Sequence, residues 1–142
     1  MDRPLRKYIL YKSRNVKEME KELRTLTEKK KDIIDSSPLP PDGMPHGKGM
    51  TSNPVESKVI RLEKINERIQ RLQKEIEAIR GTRDLLDPFM QAIYDEAIIK
   101  YCRDMRAKAD LMNMDYDRLR KDRGKILTLI AKRLGEIFED DE

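Results

Sequence analysis

Between Leu5 and Ile33 the apolar residues recur at alternating intervals of three and four, and this spacing constrains the fold more than any other feature of the chain. One seam position holds Ile9, Val16, Leu23 and Lys30; the other holds Leu5, Lys12, Met19, Leu26 and Ile33. Residues so spaced share one face of an α-helix, so residues 5–35 are expected to form an amphipathic helix with a coiled-coil seam. Its outer face carries Lys17, Glu18, Lys21, Glu22, Arg24 and Glu28. Glu18–Glu22 and Lys17–Lys21 are like-charge neighbours, so seam packing has to do most of the stabilising. A second seam is cleaner: Val55, Leu62, Ile69 and Ile76 interleave with Ile65, Leu72, Ile79 and Leu86. Asn53 as cap, Pro54 in the first turn and Glu56 at the capping-box position open that helix. Gly81 weakens its end and Asp87-Pro88 stops it.

The two seams decide between classes that composition leaves open. Of 142 residues, 41% are charged and only 5% aromatic, with two Phe and no Trp. Such a chain is either a disordered polyelectrolyte or a set of long helices burying narrow stripes, and the periodicity selects helices. Between the seams, residues 36–54 hold five of the seven prolines with Gly43, Gly47 and Gly49, so no helix crosses them; they read as a long loop or partly disordered linker. Two long amphipathic helices joined this way can bury their seams as an antiparallel hairpin, or pair between chains as a homo-oligomer. The single cysteine, Cys102, excludes a disulfide framework, and the single histidine, His46, removes most histidine-based metal and catalytic designs. Carboxylates are scattered on amphipathic faces, with no pair set in an apolar pocket where a general acid would gain a raised pKa. No catalytic or metal-ligating set is expected, nor any cofactor. No apolar run approaches the length of a membrane span, and Met1-Asp2-Arg3-Pro4 is not followed by a signal-peptide core, so a cytoplasmic protein is expected. Gly43-Met-Pro-His-Gly-Lys-Gly49 resembles a phosphate loop, but it is one residue short and lacks both a following Ser/Thr and a preceding strand. Cys102 reads as a small core residue on a helix beside Tyr101.

The last third differs. Pro88 opens a shorter helix with Phe89, Ile93, Ala97 and Tyr101 expected inward, and residues 103–112 form another. A final helix is expected from Asp115 to about Phe138, with Leu119, Ile126, Ile130, Leu134 and Ile137 as its stripe. Ala109, Met112, Asn113, Met114, Asp115 and Leu119 fill the six structural slots of a helix-turn-helix: a small residue, an apolar one, a turn, a second apolar residue, a cap and a lock. Lys108 stands where an apolar residue is usual. The second helix then exposes Tyr116, Asp117, Arg118, Arg120 and Lys121 at the end that meets base edges in a major groove. Arg123, Lys125, Lys132 and Arg133 follow as phosphate candidates. The bland alternative is a solvated charged face opposite a core stripe. Net charge supports a polyanion partner: the total of +4 is a body of +9 offset by five acids and no base in residues 136–142.

The order of parts resembles phage transcriptional regulators of the RinA/ArpU type. The resemblance rests on the charged N-terminal helix, the loop Ser37-Pro-Leu-Pro-Pro-Asp-Gly-Met-Pro-His-Gly-Lys-Gly49, and Ser52-Asn-Pro-Val-Glu-Ser-Lys-Val59 opening a second long helix. Leu85-Leu-Asp-Pro88 and the closing helix Lys125-Ile-Leu-Thr-Leu-Ile-Ala-Lys-Arg-Leu-Gly135 complete it. It implies a helix-turn-helix similar to region 4 of bacterial sigma factors, in a non-enzymatic activator of late packaging and lysis genes. The expected architecture is therefore all-α: a hairpin arm over residues 1–87, a helix-turn-helix unit over 88–138 and an acidic tail at 139–142. Double-stranded DNA is the expected partner, in the cytoplasm of a bacterial host. The tail reads as a solubilising end, or as a segment that competes with DNA or contacts a basic surface of host RNA polymerase. Two other functions fit the same parts: a DNA-binding small terminase subunit, and a coiled-coil adaptor with no nucleic-acid role.

Overall fold

A computed structural model describes residues 1–36 and 54–136, and among them every regular element is a helix. In chain order these are α1 (Arg3–Arg14), α2 (Val16–Asp35), α3 (Pro54–Asp84), α4 (Pro88–Ile93), α5 (Met105–Leu111) and α6 (Tyr116–Arg133). A π-helical segment, Tyr94–Ile99, continues directly from α4. None of these helices is long and apolar enough to cross a membrane. The expected Pro/Gly loop, the Asn53 cap, Ile137, Phe138 and the acidic tail lie outside the described residues.

The chain divides into two compact units, and the division runs through α2 and α3 rather than at the Asp87-Pro88 step. The smaller unit is Glu20–Gln73. Its core is Ile33, Ile65 and Ile69, with Leu23, Leu26 and Leu62 packed against them, all drawn from the two sequence seams. Arg68 holds Glu22 through two hydrogen bonds of 2.9 and 3.0 Å, and Lys58 Nζ donates to the carbonyl of Ser36 at 3.0 Å. As numbers rise along α2 those of its partners on α3 fall, so the two segments run in opposite directions.

The larger unit comprises residues 1–19 and the described residues from Lys74 onward. Asp2 caps α1 by accepting from the Leu5 amide at 2.9 Å. The helix expected over residues 5–35 is interrupted at Asn15. Beside it, Ser13 Oγ donates to the Ile9 carbonyl at 2.8 Å and Asn15 Nδ2 to the Tyr11 carbonyl at 2.9 Å. Ile9 and Val16 still bury on the expected face, Leu72 and Ile79 do so on α3, and Thr82, outside the expected seam, is also buried.

The inward set on α4 and the π segment is not the expected one. Phe89 and Tyr101 are exposed, whereas Ile93, Tyr94, Ala97 and Ile98 are all 0% exposed. The buried four are spaced i, i+1, i+4 and i+5, an ordinary helical face turned away from Phe89. The π turn, closed by Lys100 N–H to the Asp95 carbonyl at 3.3 Å, ends that face. The chain then leaves the helix at Lys100 (ψ 142°), so Tyr101 and Cys102 lie in a connection and Cys102 is not on a helix. Tyr94 locks this arrangement by donating its hydroxyl to the Ile79 carbonyl of α3 at 2.8 Å. Arg83 adds a forked pair to Asp95, both arms at 3.0 Å.

α6 buries Leu119, Ile126, Leu127, Ile130 and Ala131. It ends at Arg133, short of the expected Phe138. Gly135 takes a left-handed φ of +80°, and the Glu136 amide returns to the Ala131 carbonyl at 2.9 Å. That closing bond satisfies a terminal carbonyl and needs a residue without a Cβ penalty at the turn. Gly124, by contrast, lies inside the helix, and a Cβ added there would meet nothing within 4 Å. Gly124→Ala is therefore expected to raise stability by up to about 1 kcal/mol, read as a higher denaturant midpoint with an unchanged slope.

Candidate nucleic-acid interface

The short helix α5 begins at Asp104, whose carboxylate accepts from the amides of Arg106 and Ala107 at 3.0 and 3.2 Å. It ends in a left-handed residue, Asn113 (φ +53°), with the Met114 amide bonded to the Ala109 carbonyl at 3.0 Å. Asn tolerates this conformation better than other residues with a Cβ. Asp115 then caps α6 by accepting from the Arg118 amide at 3.3 Å. Ala109 and Leu119 are buried on the two sides of the turn, and Met112 and Met114 are half-buried. Lys108 has its own account: Nζ reaches Glu96 on the π segment at 3.4 Å, so a long cation bridges elements where an apolar residue would pack. Lys100 and Lys108 together hold the Glu96 carboxyl below its ordinary pKa, the bond from Lys100 contributing most.

The nine expected contact residues do not form one surface. At 3.6 residues per turn, Arg118, Lys121, Lys125 and Lys132 fall within about 60° of one another around α6. Arg118, Lys121 and Lys125 are exposed, and Lys132 is half-buried. Asp117 is exposed at the helix start, where the dipole favours a negative charge. Arg120 is exposed but projects about 160° away from Arg118. Tyr116 and Arg123 are half-buried on that same inner side. Burial pushes the Arg123 guanidinium below its ordinary pKa, and like-charge repulsion from Arg14 and Arg6 adds to the shift. Arg133 points elsewhere again, its Nη2 3.3 Å from Glu77 Oε1 and 3.4 Å from the Glu77 carbonyl of α3. Gly81 permits that approach, since a Cβ there would meet Glu77 Oε1 at 2.5 Å and Arg133 Nη2 at 2.7 Å.

The outward stripe is partly pre-arranged. Asp122, only 9% exposed, lies 3.6 Å from Arg118 Nε and 4.0 Å from Lys125 Nζ. It sits beneath the two cations, so its charge anchors them rather than facing outward. The Arg118 guanidinium also lies 4.8 Å from the Phe89 ring centroid. Phe89, expected in the core, is instead exposed beside Arg118. On the inner side Arg106 lies 4.2 Å above the Tyr116 ring. No sequence signal linked Phe89 to Arg118, because the link depends on how α4 packs against α6. Charge pattern and helical period do identify the Arg118–Lys121–Lys125–Lys132 stripe once the start of α6 is fixed by its cap.

Among the described residues no group of three or more His, Cys, Asp and Glu side chains could hold a metal ion. No protein-family model, curated protein or solved structure matches the chain.

Proposed function

We propose that the chain is a sequence-specific DNA-binding regulator of phage or prophage transcription, an activator of late packaging and lysis genes. In this reading α5 and α6 form a helix-turn-helix, α6 enters the major groove, and α2 with α3 supplies a hairpin arm for self-association or a protein partner such as host RNA polymerase. The observation that carries it is the outward stripe of α6. Arg118, Lys121, Lys125 and Lys132 share one side of a helix whose opposite side is core, and whose entry is set by the Asn113 turn and the Asp115 cap. Cations near the start of such a helix suit base edges, and those further along suit phosphates.

Fluorescence anisotropy with labelled duplex DNA tests the reading. Binding of a random duplex is expected at about 50 mM salt, with log K falling against log salt at a slope of about −3 to −4 if the four cations each displace a counterion. A phage late-promoter duplex is expected to bind more tightly than the random one at the same salt. Absence of duplex binding at about 50 mM salt removes the DNA-binding reading and leaves the coiled-coil adaptor. A ring-shaped assembly in solution moves the assignment to a small terminase subunit.

A further inference from the structure

Beside α1, Lys7, Leu10, Tyr11, Arg14, Asn15 and Tyr101 line an open cleft of about 440 Å³. That volume falls in the range of small-molecule sites. The lining has two cations, two phenol rings and an amide, but no carboxylate. Tyr11 is 68% and Tyr101 72% exposed, so both rings are largely presented to solvent. The Arg14 guanidinium lies 5.0 Å from the Tyr101 ring centroid, and its Nε is buried without an acceptor. Neither Lys7 nor Arg14 is ion-paired among the described residues. The half-buried Arg123 and the exposed Arg6 add further positive charge near Arg14: burial first, then repulsion from Arg14 and Arg6, holds the Arg123 pKa down. An unpaired cation held at the edge of a core beside others of its sign is costly, and an anion in the cleft relieves it.

We propose that this cleft binds a nucleoside phosphate, with the phosphate between Lys7 and Arg14 and the base against the ring of Tyr11. Tyr101 holds the Arg14 guanidinium in place from the other side. A plain oxyanion would use the cations alone. Exposed rings beside them supply the flat apolar surface on which any base stacks. The site is separate from the outward stripe of α6: Arg123, behind the cleft, lies about 160° around that helix from Lys125. The same chemistry is offered by a free mononucleotide and by an unpaired nucleotide within a strand.

Isothermal titration of the full chain at about 50 mM salt, a condition that keeps electrostatic binding visible, separates these. The probes are adenosine 5′-monophosphate, adenosine, inorganic phosphate and a single-stranded oligonucleotide. The monophosphate is expected to bind at one per chain, with adenosine and phosphate each at least tenfold weaker. Lys7→Gln and Tyr11→Ala are each expected to weaken it at least tenfold; both residues are exposed, so circular dichroism should show the fold retained. Binding of the oligonucleotide but not the monophosphate, with the same loss in both variants, assigns the ligand to a strand. Lys121→Ala with Lys125→Ala should leave the monophosphate affinity unchanged, which separates this site from the duplex-binding reading. No binding of either nucleotide probe overturns the proposal. So do equal affinity for inorganic phosphate and affinities that neither cleft substitution alters.

Discussion

Tyr94→Ala is expected to lower stability by about 3–5 kcal/mol, a large part of what holds a domain of this size together. The ring is 0% exposed, and its hydroxyl donates to the Ile79 carbonyl at 2.8 Å. Truncation opens a cavity where α3 meets the π segment and leaves the geometry of that segment without its tie. Tyr94→Phe removes only the hydrogen bond and is expected to cost about 1 kcal/mol, measured by urea unfolding. The two variants also separate on an alkaline titration. Burial pushes the Tyr94 phenol up to about 12 from its ordinary 10. Between those pH values the unfolded chain has lost a proton that the folded chain keeps, so stability falls as pH rises. The contribution is complete below pH 10 and gone above about 12, and amounts to about 2–3 kcal/mol. Tyr94→Phe should lose that part of the decline; an unchanged decline would mean that Tyr94 is not the group responsible.

Tyr94 also marks where periodic reading of this sequence stops. Heptad spacing identified Ile9, Val16 and Met19, and on α3 Ile65, Ile69, Leu72 and Ile79, all of which are buried. These assignments hold because each depends only on which face of a regular helix a residue occupies. The turn between α5 and α6 was legible for a similar reason: Ala109, Asn113, Asp115 and Leu119 act through local backbone geometry, and each residue type suits its slot. The π segment was not legible. An i→i+5 turn leaves no mark on apolar spacing and is fixed here by a hydrogen bond to a residue fifteen positions earlier. Ile93, Tyr94, Ala97 and Ile98 form the buried face, while Phe89 and Tyr101, the latter beyond the end of the helix, are exposed. The break at Asn15 was hidden because hydrophobic periodicity runs unbroken through it, from Ile9 to Val16 and Met19, all buried.

The same distinction sharpens the candidate interface. Sequence order put Arg118, Arg120 and Lys121 in one group, but helix geometry sets Arg120 on a different side from the other two. A rigid helix lying in a groove cannot present both sides to the same base edges. Lys121→Ala combined with Lys125→Ala is therefore expected to weaken duplex binding by about 10–100-fold at about 50 mM salt and to flatten the salt slope by about 2. Arg118→Ala, closer to the cap, should instead relax the preference between specific and random duplexes. Arg120→Ala has the same charge change as Arg118→Ala and serves as the control, with affinity expected within about twofold of the parent chain. Equal losses from Arg120→Ala and from the lysine pair would mean that charge alone governs binding. The outward stripe of α6 would then lose its role as the reading surface, while a general attraction between a basic body and a polyanion would remain.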